Sequence, residues 1–125
     1  INIVSKNFAK KMVMCSTDFD SNVNEFDISG LTAVESKKIK PYRVGESKVS
    51  FECKLNQIIE IGDKNAGSGF IVIGTIILFH IDDTIYNNGR IDLEQLQPIG
   101  RVAGNSYINT TSTFDIERNI KPEKK

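Results

Sequence analysis

Between Val49 and Ile61 the chain alternates with period two: Val49, Phe51, Cys53, Leu55, Gln57, Ile59 and Ile61 fall on one face, and Ser50, Glu52, Lys54 and Asn56 on the other. Alternation this long predicts a half-buried β-strand with one wet face. The segment Gly62 to Gly69 is rich in turn-forming residues. Phe70 to Ile81 is then apolar on both faces, which predicts a central strand covered on both sides. The two strands form a long β-hairpin, the scaffold of the chain.

The flanks are shorter and less regular. Ser5 to Cys15 has helical character, with Ser5 placed to cap and Phe8, Met12 and Cys15 recurring at helical spacing. A second short helix is predicted over Asn22 to Ser29, stopped by Gly30. Thr32 to Gly45 is polar and contains Pro41, so it reads as an extended connector with at most a short strand. The turn Asn87-Asn88-Gly89 leads into a strand end and one helical turn over Ile91 to Leu96, which Pro98 ends. A link from Arg101 to Asn105 enters Ser106–Thr111, Phe114 and Ile116 mark a last short strand, and Ile120 to Lys125 is a solvated tail. The predicted class is mainly β, with two short N-terminal helices.

Charge narrows the function classes. Sixteen Lys and Arg balance sixteen Asp and Glu, which argues against a phosphate-tracking nucleic-acid binder. The 125 residues, 39% hydrophobic and 26% charged, suit one ordinary globular domain. The richest apolar run, Phe70 to Ile81, contains Gly74, Thr75 and His80 and is strand-sized, so no membrane span is expected. Cys15 and Cys53 have no metal-ligand spacing and read as reduced, packed thiols of a cytoplasmic protein. No metal site is expected around the single His.

Candidate chemistry is sparse. His80 stands beside the end of its strand and is followed by Asp82 and Asp83; on period two it shares a face with Val72, Ile76 and Leu78. It is either a proton donor or ligand partner at a barrel rim, or a packed His satisfied by a carbonyl or carboxylate. Gly67-Ser68-Gly69 precedes a strand rather than a helix, so it reads as a hairpin loop and not a phosphate cradle. Arg101, with Gly100, Gly104 and Tyr107, could hold a planar anionic ligand. One His does not allow a nucleophile–His–acid triad to be assembled.

An ordered set of motifs resembles the flavin reductase-like family, the FMN-binding split-barrel proteins that include flavoredoxins. It comprises Phe51-Glu52-Cys53-Lys54-Leu55, Ile73-Gly74-Thr75-Ile76 running to His80-Ile81-Asp82-Asp83, Gly89-Arg90-Ile91-Asp92, Leu96-Gln97-Pro98-Ile99-Gly100-Arg101 and Gly104-Asn105-Ser106-Tyr107. Ile1-Asn2-Ile3-Val4-Ser5, Glu25-Phe26 through Gly30-Leu31-Thr32, and Glu46-Ser47 extend the likeness over essentially the whole chain. Two positions depart from the pattern: Gly74-Thr75-Ile76 stands where Gly-Glu-Val is common, and Gly104-Asn105 where Gly-Gly is common.

The resemblance implies a partial split β-barrel, the C-terminal portion of one flavin reductase-like domain. Residues 1–32 would be its first strand and helices, 33–118 its barrel strands and 119–125 its tail. The abrupt apolar start at Ile1 agrees with an upstream half that supplies the first barrel strands and most groups holding the FMN phosphate. Carried over, His80 would lie beside the isoalloxazine ring, with Asp82 supporting the strand end. Arg101 and Tyr107 would approach the flavin, across a dimer interface in a homodimer, and Arg101 would stabilise the reduced anion. The implied activity passes electrons from NAD(P)H through FMN to free flavin, iron or a partner protein. The alternative is a non-catalytic fragment serving only as a β-barrel dimerisation or binding module.

Overall fold

A computed structural model describes residues 1–65 and 67–118. Its strands are β1 (Ala33–Val34), β2 (Arg43–Val44), β3 (Val49–Ile61), β4 (Gly69–Ile81), β5 (Tyr86–Asn87), β6 (Arg90–Ile91), β7 (Ile99–Arg101) and β8 (Tyr107–Asn109). Its α-helices are α1 (Ala9–Met14), α2 (Glu25–Ser29) and α3 (Leu93–Leu96), with 3-10 turns at Lys6–Phe8 and Asp83–Ile85. Each odd-numbered strand pairs antiparallel with the next, and the described residues form no closed barrel.

The extended N-terminal segment ties these units together. Ile3 N–H donates to Val49 O at 2.9 Å and Phe51 N–H to Ile1 O at 2.8 Å, so the chain start runs beside β3. One step further, Ile99 N–H donates to Val4 O at 3.1 Å and Lys6 N–H to Gln97 O at 3.0 Å. An extended backbone offers its polar groups to both sides, and here it joins the long hairpin to the β7–β8 unit. At this junction Val49, Ile85 and Leu96 form a buried cluster, with Ile3, Phe51 and Ile91 packed against it.

Several expectations need correction. Ser5 precedes the first helical turn but its side chain makes no capping hydrogen bond. The second helix begins at Glu25 and not at Asn22, because Asn24 is the residue whose side chain accepts from Phe26 N–H. Gly30 stops it, with φ of 63°. The connector holds two short strands, β1 and β2, instead of at most one. Phe114 and Ile116 lie in irregular, exposed chain and form no strand. The expected tail at Ile120 to Lys125 lies outside the described residues. Cys15 and Cys53 are free and half-buried.

The hairpin exists as predicted, but its faces do not. Ile77 is skipped in the register opposite Glu52 and Cys53, and Asn56 is skipped opposite Gly74 and Ile73. Each extra residue is a β-bulge, and one inserted residue sends everything beyond it to the opposite face. Gln57, Ile59 and Ile61 therefore leave the face of Val49 and Phe51, and His80 shares its face with Leu78, Thr75 and Ile73, not with Val72 and Ile76. The expected wet residues Ser50 and Glu52 are buried, whereas Leu55 is exposed. Nor is β4 covered on both sides: Phe70 and Val72 are 67% and 65% exposed, and Ile71, Ile73 and Phe79 are exposed with them. Only the base of the hairpin meets the core, so among the described residues its outer part has no covering layer.

Candidate functional site

The site begins at Glu52, which sits in β3 and is fully buried. The connector between β1 and β2 folds over it and aims two successive amides at its carboxylate. Lys37 N–H donates to Oε1 at 2.7 Å and Lys38 N–H to Oε2 at 2.6 Å. Oε1 also meets His80 Nε2 at 2.5 Å. Burial pushes the Glu52 carboxyl up, but the Lys37 amide, the His80 contact and the Lys38 amide outweigh it and hold the pKa at about 2. An ionised carboxylate only accepts, so His80 must carry a proton on Nε2. Nδ1 is the remaining polar atom of the ring.

Hairpin register makes this contact possible. Glu52 opposes Leu78, and His80 opposes Ser50, so Glu52 and His80 are diagonal neighbours on one face. Ser50 Oγ donates to Asn2 Oδ1 at 2.9 Å, and the same oxygen accepts from Val44 N–H at 3.1 Å. The N-terminal segment, β2 and β3 are thus locked together beneath the histidine.

His80 lines a polar cleft of about 420 Å³ with Lys37, Arg43, Lys48, Phe79 and Asp82. Asp82 follows the last residue of β4, and its role there is structural. Its Oδ1 accepts from Thr84 N–H at 2.8 Å and Thr84 Oγ1 at 2.6 Å, capping the turn that follows β4. The Thr84 hydroxyl and amide, in that order, hold its carboxyl below the usual range.

Arg101 and Tyr107 form a separate pair, opposite each other in β7 and β8. Arg101 is exposed, and its Nη2 donates to Gly104 O at 3.4 Å. Tyr107 lines a different cleft of about 510 Å³ with Lys6, Val13 and Ile99. The structure therefore joins His80 with Asp82, and Arg101 with Tyr107, while the two clefts share no lining residue. A third hollow, about 260 Å³ between α1 and α2, is largely apolar and holds none of these four residues.

Glu52 is the residue that sequence reasoning missed, because strict period two placed it on the wet face. One signal was available: the only His of the chain lies on the facing strand, and hairpin pairing brings it near an acid flanked by Phe51 and Cys53.

No family model matches the chain. Curated relatives do, among them an uncharacterised protein of Aquifex aeolicus, 37% identical over 109 residues, and one of Halalkalibacterium halodurans, 29% identical over 119. The alignments take in 86% and 94% of this chain but only 53% and 57% of those proteins. The chain spans about half the length of the curated relatives it matches. Among solved structures, nitrilotriacetate monooxygenase component B from Bacillus cereus superposes with a TM-score of 0.83 at 28% identity, covering 92% of this chain and 57% of its own. The 2-nitrobenzoate 2-nitroreductase of Pseudomonas fluorescens gives 0.78 at 26%, covering 95% and 58%. A Shewanella frigidimarina protein, described as a flavin reductase with a split barrel domain, gives 0.77 at 23%, covering 94% and 59%, a likeness of fold. The fold is mainly β and of the flavin reductase split-barrel type.

Proposed function

We propose that this chain is the C-terminal part of an FMN-dependent reductase, in which NAD(P)H reduces the flavin and the flavin passes electrons to free flavin, iron or a partner protein. The observation that carries this reading is the His80–Glu52 pair at the wall of a cationic cleft, on a fold shared with proteins named as a nitroreductase and a monooxygenase component. The residues present fit a flavin. Lys37, Arg43 and Lys48 offer positive charge for an anionic ligand, and His80 a ring nitrogen for a hydrogen bond. FMN supplies two-electron chemistry when bound. His80, oriented by Glu52, holds a hydrogen-bonding atom in fixed position, and Arg101, outside this cleft in its own chain, is the cation that reaches the flavin of a second copy across the dimer interface and offsets negative charge on the reduced ring.

A homodimer belongs to this reading. The exposed apolar faces of the β3–β4 hairpin exceed what isolated surface hydrophobics explain. They offer area both to a second copy and to the additional length that the relatives have. The competing reading, a binding module without catalysis, has no specific observation in its favour.

Titration of the protein with FMN, followed by quenching of flavin fluorescence, tests the proposal. Saturable binding and a yellow protein reducible by NADH or NADPH are expected. Arg101→Ala should weaken FMN binding or lower the flavin reduction potential, because the reduced anion loses its partner. If neither quantity moves, Arg101 is structural; if no FMN binds, the flavin reading fails.

A further inference from the structure

We propose that residues 35–42, the loop between β1 and β2, form a gate beside His80 that the buried carboxylate of Glu52 latches shut. The loop starts and ends on a ladder of two residue pairs, Ala33 opposite Val44 and Val34 opposite Arg43. It is braced from within: Ser36 Oγ donates to Pro41 O at 2.5 Å, and across its base Arg43 Nη2 donates to Glu35 O at 3.4 Å. A loop braced in this way and hinged on so short a ladder moves as one piece.

Its attachment to the rest of the protein is narrow. Among the described residues, the only hydrogen bonds from 35–42 to chain beyond the connector are Lys37 N–H to Oε1 and Lys38 N–H to Oε2 of Glu52. The side chains of Lys37, Lys38 and Lys40 add no salt bridge among the described residues. Six of the eight loop residues are exposed, Ser36 and Ile39 are half-buried, and none belongs to the buried cluster of Val49, Ile85 and Leu96. Two amides on one ionised acceptor are thus the main hold, and bonds to a charged acceptor are the strong kind. The latch also faces His80. Oε1 accepts from Lys37 N–H and meets His80 Nε2, while Lys37 lines the cleft beside the imidazole.

With the loop in place the His80 side chain is 15% exposed and that of Glu52 has no exposure. Lifting the loop removes one wall of the cleft and uncovers Glu52, so access to the imidazole and the setting of its carboxylate partner change together. Such an opening breaks two hydrogen bonds and leaves the core intact, which puts it among the local motions that need far less free energy than global unfolding. The gate goes beyond the flavin reading and does not depend on which ligand the cleft takes.

Amide hydrogen exchange and the reactivity of the single histidine test the gate. In the wild-type chain the Lys37 and Lys38 amides should be protected although both residues are exposed, yet exchange faster than amides at the base of the β3–β4 hairpin. Lys38→Pro deletes one latch donor and should speed exchange of the Lys37 amide at least about tenfold, the size of one lost charge-assisted hydrogen bond. Acylation of His80 by diethyl pyrocarbonate should speed up in the same variant while the hairpin amides stay unchanged. Lys38→Gln keeps the backbone donor and should match the wild type in both measurements. Ser36→Ala loosens the brace and should speed both about fivefold, the size of one neutral hydrogen bond, which keeps the test decisive if Lys38→Pro does not fold. The gate is overturned if the Lys37 and Lys38 amides exchange like free peptide, or if Lys38→Gln acts like Lys38→Pro. It is equally overturned if loop exchange speeds up in the variants while the reactivity of His80 does not. None of these measurements uses FMN, so their failure and a failure to bind flavin are separate results.

Discussion

Glu52 shows how one buried carboxylate can organise a site. Its ordinary pKa is 4.5, and in the folded chain the amides of Lys37 and Lys38 with His80 overcome the effect of burial and hold it at about 2. A group depressed on folding adds stability that is fully present above its unfolded value and disappears as pH falls towards its folded value. The wild-type urea midpoint should therefore decline between about pH 4.5 and about pH 2 with a contribution from Glu52. Glu52→Gln keeps the shape but loses the charge, and it places an amide N–H2 near donors that need an acceptor. The variant should be less stable at neutral pH, and its deficit should shrink across the same acid window. A deficit that stays constant with pH would show that the carboxylate's charge does not matter.

At the scale of elements, the hairpin and the connector carry the site between them. The bulges at Ile77 and Asn56 set which side chains face which way, and the two strands of the connector position the Lys37 and Lys38 amides. Entry into that connector is controlled by Gly30, which ends α2 in the left-handed region while its N–H donates to Phe26 O at 3.0 Å and its carbonyl accepts from Lys11 Nζ at 2.6 Å. A side chain there costs about 1–2 kcal/mol in backbone strain. Gly30→Ala should lower stability by that amount in a urea titration. An unchanged midpoint would mean that α2 ends equally well in another conformation.

At the scale of the whole molecule, exposed apolar surface dominates. Phe70 and Val72 share one face of the outer hairpin in the observed register, and both are about two-thirds exposed. Light scattering should find the chain self-associated. Phe70→Glu combined with Val72→Glu should reduce its mass without a loss of stability, because neither side chain is buried in the core. If the wild-type chain is monodisperse as a monomer, the hairpin is not a self-association surface. No helix among the described residues is long and apolar enough to cross a membrane.

Much of the architecture was legible from local pattern. The long hairpin, the short helix before Gly30, the turn at Asn87-Asn88-Gly89 and the helical turn ending near Pro98 all follow from periodicity and turn chemistry in contiguous residues. The ordered motifs also pointed to the split-barrel fold that the solved structures share. What the tertiary structure decided depends on residues distant in sequence. His80 and Glu52 are 28 positions apart, and the amides that hold Glu52 come from 14 and 15 positions upstream of it. Bulges are equally invisible to a period-two reading, because each is a property of the pairing between strands and not of either strand alone. For that reason the sequence by itself determined the elements and the class of fold. Only the folded chain decided which face each hairpin residue occupies, that Glu52 is buried beside His80, and that Lys37, Arg43 and Lys48 meet in one cleft.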